Sequence, residues 1–572
     1  MVTQSRRRLA LMLAPLFGLL ASAGEASAEP ARHHAKAHAA PAPSGPPRLL
    51  VAISVDQFSA DLFAQYRRHY TGGLARLLDG AVFPSAFQSH AATETCPGHS
   101  TLLTGVHPNR TGIIANTWYD LTQARKDKRV YCAEDEKDPA SAPGAPVVSA
   151  AHLKVPTLGE RMKAEWPESR NVAVSAKDRA VAMMGGSKVD AAYWWNNGWA
   201  TYKGREPSET AKAASAALLK LVAAGAPGYV APAWCAARNR GITAGPPTPD
   251  QAKIGPLVVG TGTLALPAGG AAMLRATPRI DAATLDLALK LTAEMKLGKG
   301  KAPDMLSVSL SANDYIGHAY GTEGLEMCTQ MAELDRSLGA FFARLDAMGL
   351  DYAVVLSADH GGLDLPERLD QQALPTAARA DLALMPAVLS KAIGAALGLQ
   401  DAGQLVYGEG PFGDYYVSRA LSDEQRAKVL GELVARLKAH RQVAAVFTRD
   451  EMAAPPPAGN PQDWSLLERA RASFDPARTG DVVMLLKRAV VPIPMVGQGF
   501  TATHGSAWDY DRRVPLLFWR RGLAGLEQPQ PVETVDIAPT LAALVGLKVE
   551  AGAFDGRCLD IDGGAGDSCG AK

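Results

Sequence analysis

The chain has 572 residues, of which 47% are hydrophobic and 20% are charged, and its formal net charge is +1. This length and composition are sufficient for one large core with an accessory domain. The net charge falls to −1 without the three Arg and one Glu of the leader described next, so the chain has no general electrostatic footprint for nucleic acid.

The first 28 residues are predicted to be an export signal, because three arginines at 6–8 precede an apolar run over 9–20 and a small-residue cleavage site ending at Ala28. The run is shorter than the ~20 residues of a membrane span, and no later stretch is long and uncharged enough. We therefore expect a soluble, periplasmic or secreted protein, exported by the Sec or the twin-arginine route. Residues 29–47, rich in Ala, Pro and His, predict a flexible linker.

Near-continuous apolar runs predict strands that are buried on both faces. They are Arg48–Val55, Met305–Ser311, Tyr352–Ser357 and Val514–Trp519. A helical periodicity, clearest over 325–349, lies between them. This alternation predicts an α/β fold with a mostly parallel central sheet flanked by helices. Asp56, Asp314 and Asp359 would lie at the carboxyl edge of that sheet, where such folds bind ligands.

Two stretches break the alternation and are interpreted as insertions. Residues 364–500 contain a Pro-rich run and a polar amphipathic helix over 422–440, which indicates an inserted accessory domain. Residues 196–275, rich in Ala, Gly and Pro, predict a second insertion over the sheet. The core is then expected to comprise residues 48–363 and 501–572.

Three histidines accompany the three carboxylates. His318 follows Asp314 by four positions, which places both on one face of a helical turn, while His360 directly follows Asp359 and His504 lies in a later segment. Alone, each motif is also typical of a surface pair or a turn. Together, three Asp and three His at one edge offer two sets of donors suited to Zn²⁺, whereas the carboxylates without a metal would repel one another.

At this point the sequence resembles the alkaline phosphatase superfamily over nearly the whole mature chain, and "VDIAPTLAALVG" at 535–546 is similar to its closing helix. The resemblance implies two Zn²⁺ ions. It assigns one ion to Asp56, Thr95, Asp359 and His360, and the other to Asp314, His318 and His504.

The segment "HAATETCPGHSTLLTG" at 90–105 would supply the nucleophile. Pro97 suits the first turn of a helix, so Thr95 would lie at a helix N-terminus, which attracts anions. The alternative, without catalysis, is that Thr95 only caps the helix. Thr93 is a rival nucleophile, but members with this architecture place an Asn 21 positions after theirs, and Asn116 in "GIIAN" follows Thr95 by 21. By resemblance, Asn116 would donate to a phosphoryl oxygen.

A further motif, "VSAKDRAVAMMGG" at 174–186, is similar to the Lys-x-Arg signature of PafA-type, phosphate-irrepressible alkaline phosphatases. The resemblance implies that Lys177 and Arg179 bind phosphoryl oxygens, with Lys177 replacing the magnesium-bound third site of other members. Such a triplet after a strand is otherwise typical of a solvated loop. Diesterases of the superfamily generally lack the pair.

All six cysteines follow the cleavage site, and an even number in an oxidising compartment favours disulfides. Cys558 and Cys569 are expected to pair, while the other four permit three pairings. Cys96 is not followed by the Arg that a sulfatase requires, so we expect it in a disulfide. His99 is expected to form a hydrogen bond within the helix start and not to bind metal.

The sequence therefore predicts a periplasmic, monomeric alkaline phosphatase that hydrolyses small-molecule phosphate monoesters through a phosphothreonine at a di-zinc site. One alternative is a diesterase of the nucleotide pyrophosphatase type, which needs the same zinc ions and threonine. Another is an exported zinc- or phosphate-binding protein without turnover, although such a protein has no need of a threonine beside a metal.

Overall fold

The computed structural model describes residues 45–372, 374–456 and 459–570. The predicted export signal and most of the predicted linker lie outside these residues. Within them, no helix is long and apolar enough to cross a membrane.

The strands and helices of the described residues are as follows, in chain order. The strands are β1 Leu49–Val55, β2 Ala81–Phe87, β3 Thr117–Tyr119, β4 Arg129–Tyr131, β5 Asn171–Ser175, β6 Ala191–Trp195, β7 Trp199–Ala200, β8 Ile242–Ala244, β9 Leu257–Val259, β10 Asp304–Leu310, β11 Tyr352–Ser357, β12 Ala378–Arg379, β13 Val406–Tyr407, β14 Gly413–Val417, β15 Val443–Thr448, β16 Val482–Leu486, β17 Val490–Val491, β18 Arg513–Arg520, β19 Leu526–Glu527 and β20 Val532–Glu533. The α-helices are α1 Ala60–Tyr66, α2 Gly73–Leu77, α3 Thr95–Thr104, α4 Pro108–Thr111, α5 Leu158–Glu165, α6 Asp178–Gly185, α7 Glu209–Ala224, α8 Pro249–Ile254, α9 Ala271–Leu274, α10 Pro278–Glu294, α11 Ala312–Tyr320, α12 Leu325–Ala347, α13 Pro366–Gln372, α14 Pro386–Leu397, α15 Asp423–Ala439, α16 Arg449–Met452, α17 Leu466–Arg471, α18 Asp509–Arg512 and α19 Ile537–Val545.

The central sheet has the strand order β19-β2-β18-β11-β1-β10-β5-β6-β7, and β20 also pairs with β2. Its middle strands β11, β1, β10, β5 and β6 are all parallel. β18 pairs antiparallel with both β11 and β2. The prediction of a mostly parallel α/β sheet is confirmed, and the four predicted strands are β1, β10, β11 and β18. The antiparallel direction of β18 was not predicted, because burial on both faces produces the same apolar run in either direction.

Every residue of β1, β10 and β11 is buried. Helices cover the sheet, among them α10 and α12, whose apolar residues belong to the same core. Because β1, β10 and β11 are parallel neighbours, the residues that follow them meet at one edge of the sheet. Asp56, α11 with Asp314, and Asp359 come directly after these strand ends.

A second, four-stranded antiparallel sheet has the order β13-β14-β16-β15. It packs with α14 and α15 around a separate apolar core that includes Tyr415, Leu433 and Met484. This sheet lies within residues 364–500, and α15 begins and ends within a residue of the helix predicted there. The predicted domain boundaries themselves, including those of the 196–275 insertion, stay predictions.

Disulfide bonds join Cys96 to Cys132, Cys235 to Cys328, and Cys558 to Cys569. The expected Cys558–Cys569 pair and the expected disulfide at Cys96 are confirmed. The second bond ties the 3₁₀ helix Ala233–Arg238 to α12.

Candidate active site

Two groups of acidic and histidine side chains lie at the carboxyl edge of the central sheet. The first group comprises Asp56, Asp359 and His360, all fully buried. The Nε2 atom of His360 lies 3.5 Å from Oδ1 of Asp56 and 3.3 Å from Oδ2 of Asp359. The Nδ1 atom of His360 donates a hydrogen bond to the carbonyl oxygen of Gly361, which turns Nε2 toward the carboxylates.

The second group is centred on Asp314, the third residue of α11. Oδ1 of Asp314 lies 3.3 Å from Nε2 of His318 and 3.3 Å from Nε2 of His504. The spacing of four residues on α11 brings His318 and Asp314 together, as the sequence predicts. The rings of His360 and His504 stack with centroids 3.5 Å apart, so the two groups adjoin each other.

Burial favours the neutral form of both the carboxyl groups and the imidazoles, and a metal ion would instead favour ionised carboxylates beside neutral imidazoles. Burial, reinforced by the charges of Asp314 and Asp359, raises the pKa of Asp56. Burial also lowers the pKa of His360 to about 3 and lowers the pKa of His504, which favours neutral imidazoles. A carboxylate and a neutral imidazole whose Nδ1 is already a donor face each other as two acceptors, so a cation between them is favourable.

Several of the facing atoms have no hydrogen-bond partner among the described residues. They are Oδ1 of Asp56, Oδ1 of Asp314 and Nε2 of His360. Buried polar atoms normally have a hydrogen-bond partner, and each atom without one needs an explanation such as a bound ion. Oxygen and imidazole donors in this combination fit Zn²⁺.

Thr95 is buried and is the first residue of α3. Nη2 of Arg179 lies 3.4 Å from its Oγ1 and can donate to it. Nδ1 of His99 lies 2.9 Å from the carbonyl oxygen of Thr95 and 3.0 Å from Oδ2 of Asp359. His99 therefore bonds within the helix start, as predicted, and it also ties α3 to the first group. The nucleophile candidate thus lies beside the groups that could hold metal.

Asn116 is held by Glu94 and Cys96, the two residues that flank Thr95. Its Oδ1 accepts a hydrogen bond of 2.8 Å from the Cys96 amide, and its own backbone N–H donates to Oε2 of Glu94 at 2.8 Å. Because Oδ1 is engaged, the group of Asn116 that can donate to an anion is its side-chain Nδ2. The role of Glu94 in holding Asn116 was not predicted from the sequence. The one feature of the sequence that could have indicated it is the position of Glu94 directly before Thr95.

The side chain of Lys177 is buried between the two groups. Its Nζ lies 2.6 Å from Oδ2 of Asp56 and 2.5 Å from Oδ2 of Asp314. Burial alone would lower the pKa of Lys177, but these two carboxylates raise it, so the ammonium stays charged. The resemblance implies a contact of Lys177 with a phosphoryl group, and the structure adds that this cation also forms ion pairs with both carboxylates.

A profile of the type I phosphodiesterase / nucleotide pyrophosphatase family matches residues 50–507. The chain belongs to this family, which lies within the alkaline phosphatase superfamily. The resemblance that the sequence motifs indicate is therefore confirmed.

Relatives within the superfamily are named as phosphatases. Alkaline phosphatase PhoK of a Sphingomonas species is 51% identical over 529 residues, which cover 92% of this chain and 93% of the relative. Alkaline phosphatase PhoD of Zymomonas mobilis is 47% identical and covers 92% of this chain and 90% of the relative. The crystal structure of wild-type alkaline phosphatase PafA matches with a TM-score of 0.75 at 25% identity, covering 90% of this chain and 99% of that one. These relatives confirm the predicted fold and the predicted class of hydrolytic enzyme.

Proposed function

We propose that this family member is an alkaline phosphatase that hydrolyses phosphate monoesters with Thr95 as its nucleophile. The observation that carries the proposal is the buried hydroxyl of Thr95 at the N-terminus of α3, with the Arg179 guanidinium 3.4 Å from Oγ1. A helix N-terminus and a guanidinium both favour a phosphate dianion at this point. The phosphatase relatives support the same activity.

We propose two Zn²⁺ ions as cofactors. Asp56, Thr95, Asp359 and His360 would hold one ion, and Asp314, His318 and His504 would hold the other. The support is the set of unpartnered buried atoms on Asp56, Asp314 and His360, together with the short distances between the carboxylates and the imidazoles. When bound, the ions would lower the pKa of a coordinated hydroxyl and neutralise charge on the reacting phosphoryl group.

The chain's own residues then act in two steps. Oγ1 of Thr95 attacks the phosphorus in line, the ester's alkoxide leaves, and a phosphothreonine forms. Water hydrolyses this intermediate, which returns the threonine hydroxyl and releases phosphate. Nδ2 of Asn116 and the guanidinium of Arg179 hold phosphoryl oxygens, and the buried charge of Lys177 adds to the positive potential on which phosphoryl transfer depends.

The deciding experiment is the ratio of kcat/KM for p-nitrophenyl phosphate to that for bis-p-nitrophenyl phosphate, on zinc-loaded protein at alkaline pH. We expect a ratio far above one, since Lys177 and Arg179 supply two cations for the extra charge of a monoester. A ratio far below one would make the protein a diesterase. A lack of turnover with either ester would favour a binding protein.

We further propose that the protein acts as a monomer in the periplasm, where it releases phosphate from small external monoesters. Export would remove residues 1–28. Intact-mass measurement of the protein from a periplasmic extract tests this, since a chain that retains its first 28 residues would contradict cleavage after Ala28.

A further inference from the structure

A cleft of about 620 Å³ lies beside the proposed phosphoryl site, and Lys177 and Arg179 form part of its wall. Aromatic side chains, including Trp195 and Tyr315, line the same cleft, and so does Arg275. Arg275 follows α9 and is distant in sequence from the Lys-x-Arg motif. We call this space the Arg275 cleft.

Arg275 has no carboxylate within ion-pairing distance in the part of the chain that the structure describes. Its Nη2 donates a hydrogen bond of 2.7 Å to the carbonyl oxygen of Trp195. Its Nε is buried and has no hydrogen-bond partner there. A guanidinium carries several donors and is always charged, so one that is held in place but not neutralised is suited to an anionic ligand.

The other charged groups of the cleft already have partners, with one exception. Arg125 forms ion pairs with Asp127 and Glu134, and Asp178 accepts a hydrogen bond of 2.8 Å from the hydroxyl of Tyr131. Two further pairs are Arg129 with Glu409, and Lys177 with Asp56 and Asp314. The exception is Arg179, which has no ion pair among the described residues and to which we assign the transferred phosphoryl group. Among the described residues, none of the carboxylates of the cleft forms an ion pair with Arg275.

Arg275 lies close to the catalytic cations. Lys177 Nζ is 5.0 Å from the centroid of the Tyr315 ring, and Cζ of Arg275 is 5.9 Å from the same centroid. Both cations thus contact one ring, within reach of a single small substrate. A substrate whose phosphoryl group lies at Arg179 could therefore place a second group against Arg275.

We propose that Arg275 binds a second anionic group of the substrate, a phosphate or a carboxylate, and so favours phosphate monoesters that carry one. This inference rests on the proposed function, because it takes the first phosphoryl group to lie at Arg179. Charge-assisted hydrogen bonds from a guanidinium to such a group are stronger than neutral ones and carry geometric specificity. The preferred substrates would be bisphosphates and phosphorylated acids of small polyols and sugars.

The test compares fructose 1,6-bisphosphate with fructose 6-phosphate, and uses p-nitrophenyl phosphate as a substrate without a second anion. The zinc-loaded wild-type protein should show a kcat/KM about tenfold higher for the bisphosphate than for the monophosphate. Arg275→Gln should remove this preference and leave kcat/KM for p-nitrophenyl phosphate within about twofold, since it removes one charge-assisted contact. Measurement of kcat/KM for 3-phosphoglycerate, whose second anionic group is a carboxylate, shows whether both kinds of anion are accepted.

The matched control is Arg279→Gln. Arg279 lies four residues on, in α10, and its Nη1 donates to the carbonyl oxygen of Leu264 outside the cleft. This variant should keep the preference for the bisphosphate. Arg275→Lys retains a charge at the same place and should lose less of the preference than Arg275→Gln, which keeps the test informative if the Gln variant does not fold.

Two results would overturn the inference. One is a wild-type protein with equal kcat/KM for the two sugar phosphates, and the other is an Arg275→Gln variant that loses activity equally on all three substrates. Failure of the proposed function is a distinct outcome, because the wild-type protein would then hydrolyse bis-p-nitrophenyl phosphate in preference to p-nitrophenyl phosphate, or would hydrolyse neither ester.

Discussion

At the scale of single residues, Thr93 and Thr95 are both buried but have different surroundings. Oγ1 of Thr93 donates a hydrogen bond of 2.7 Å to the carbonyl oxygen of Ser506, whereas Oγ1 of Thr95 faces Arg179. A hydroxyl that is committed to a carbonyl is poorly placed to attack phosphorus. The surroundings therefore support Thr95 as the nucleophile.

Thr95→Ala should lower turnover of p-nitrophenyl phosphate by about a thousandfold or more, because no other hydroxyl takes its place. The variant should still bind zinc, since the Asp and His side chains remain. Initial rates together with the zinc content of the purified protein measure both effects. Thr93→Val should retain turnover of the wild-type order, and the opposite pattern would make Thr93 the nucleophile.

Lys177→Ala combined with Arg179→Ala should reduce kcat/KM for p-nitrophenyl phosphate far more than for bis-p-nitrophenyl phosphate. A monoester dianion carries one more charged oxygen than a diester, so it loses more when two cations are removed. Steady-state kinetics on both esters measure the difference. Equal losses would remove the argument that this pair selects monoesters.

His107 makes the stability of the protein dependent on pH. Its ring lies 2.9 Å from Glu533 and 3.3 Å from Asp555. Burial alone would lower the pKa of His107, but hydrogen bonds to these two carboxylates outweigh burial and raise it to about 9 from 6.5. The folded state therefore binds the proton more tightly than the unfolded state, so this stabilisation is full below pH 6.5 and is lost as the pH rises through about 9.

His107→Gln should accordingly lower the free energy of unfolding by about 2 kcal/mol in mildly acidic solution and by much less above pH ~10. Urea unfolding of the wild-type and variant proteins at several pH values measures this difference. A destabilisation that stays constant across the range would show that the ion pairs of His107 do not cause it.

At the scale of elements, helix α3 packs directly against the segment that follows β11. A Cβ atom added at Gly98, in the first turns of α3, would overlap the backbone carbonyl of Asp359. A backbone carbonyl in a buried segment cannot move aside as the end of a side chain can. Only a glycine here allows the helix to carry Thr95 so close to the group formed by Asp56, Asp359 and His360.

Gly98→Ala should therefore destabilise the protein by about 1 to 3 kcal/mol through overpacking, and should reduce activity by displacing α3. Gly431→Ala in α15 is the matched control, because a Cβ there has open space around it. That substitution should stabilise helix α15 by about 0.5 to 1 kcal/mol. Thermal unfolding and p-nitrophenyl phosphate hydrolysis of both variants test the contrast, and equal melting temperatures would contradict it.

At the scale of the whole molecule, the two groups of acidic and histidine side chains join distant parts of the chain, from Asp56 to His504. Lys177 supplies one positive charge between Asp56 and Asp314, which does not balance the three carboxylates, so a bound metal should stabilise the folded state. A ligand present at a hundred times its Kd contributes about 2.7 kcal/mol.

Chelation of metal should lower the melting temperature, and added Zn²⁺ should restore it. Mg²⁺ should restore less, because it prefers oxygen donors to imidazole. Calorimetry of the chelated and reloaded protein measures the shift. A melting temperature that does not respond to chelation would argue against metal at these groups.

The sequence by itself determined the fold class, the four main strands and the residues at their carboxyl ends. Burial on both faces leaves an apolar run, and the first polar residue after the run lies at the ligand-binding edge, which made Asp56 and Asp359 recognisable. The spacing of Asp314 and His318 was readable for a similar reason, since a helical turn relates them.

Only the tertiary structure decided features that depend on residues far apart in the chain. These include the pairing of Cys96 with Cys132, the antiparallel direction of β18, and the position of Lys177 between Asp56 and Asp314. The same holds for Arg275, whose lack of a carboxylate partner among the described residues depends on everything packed around it. Periodicity and local motifs reflect contacts between residues that are close in sequence. The properties named here depend instead on contacts between segments that are distant in sequence.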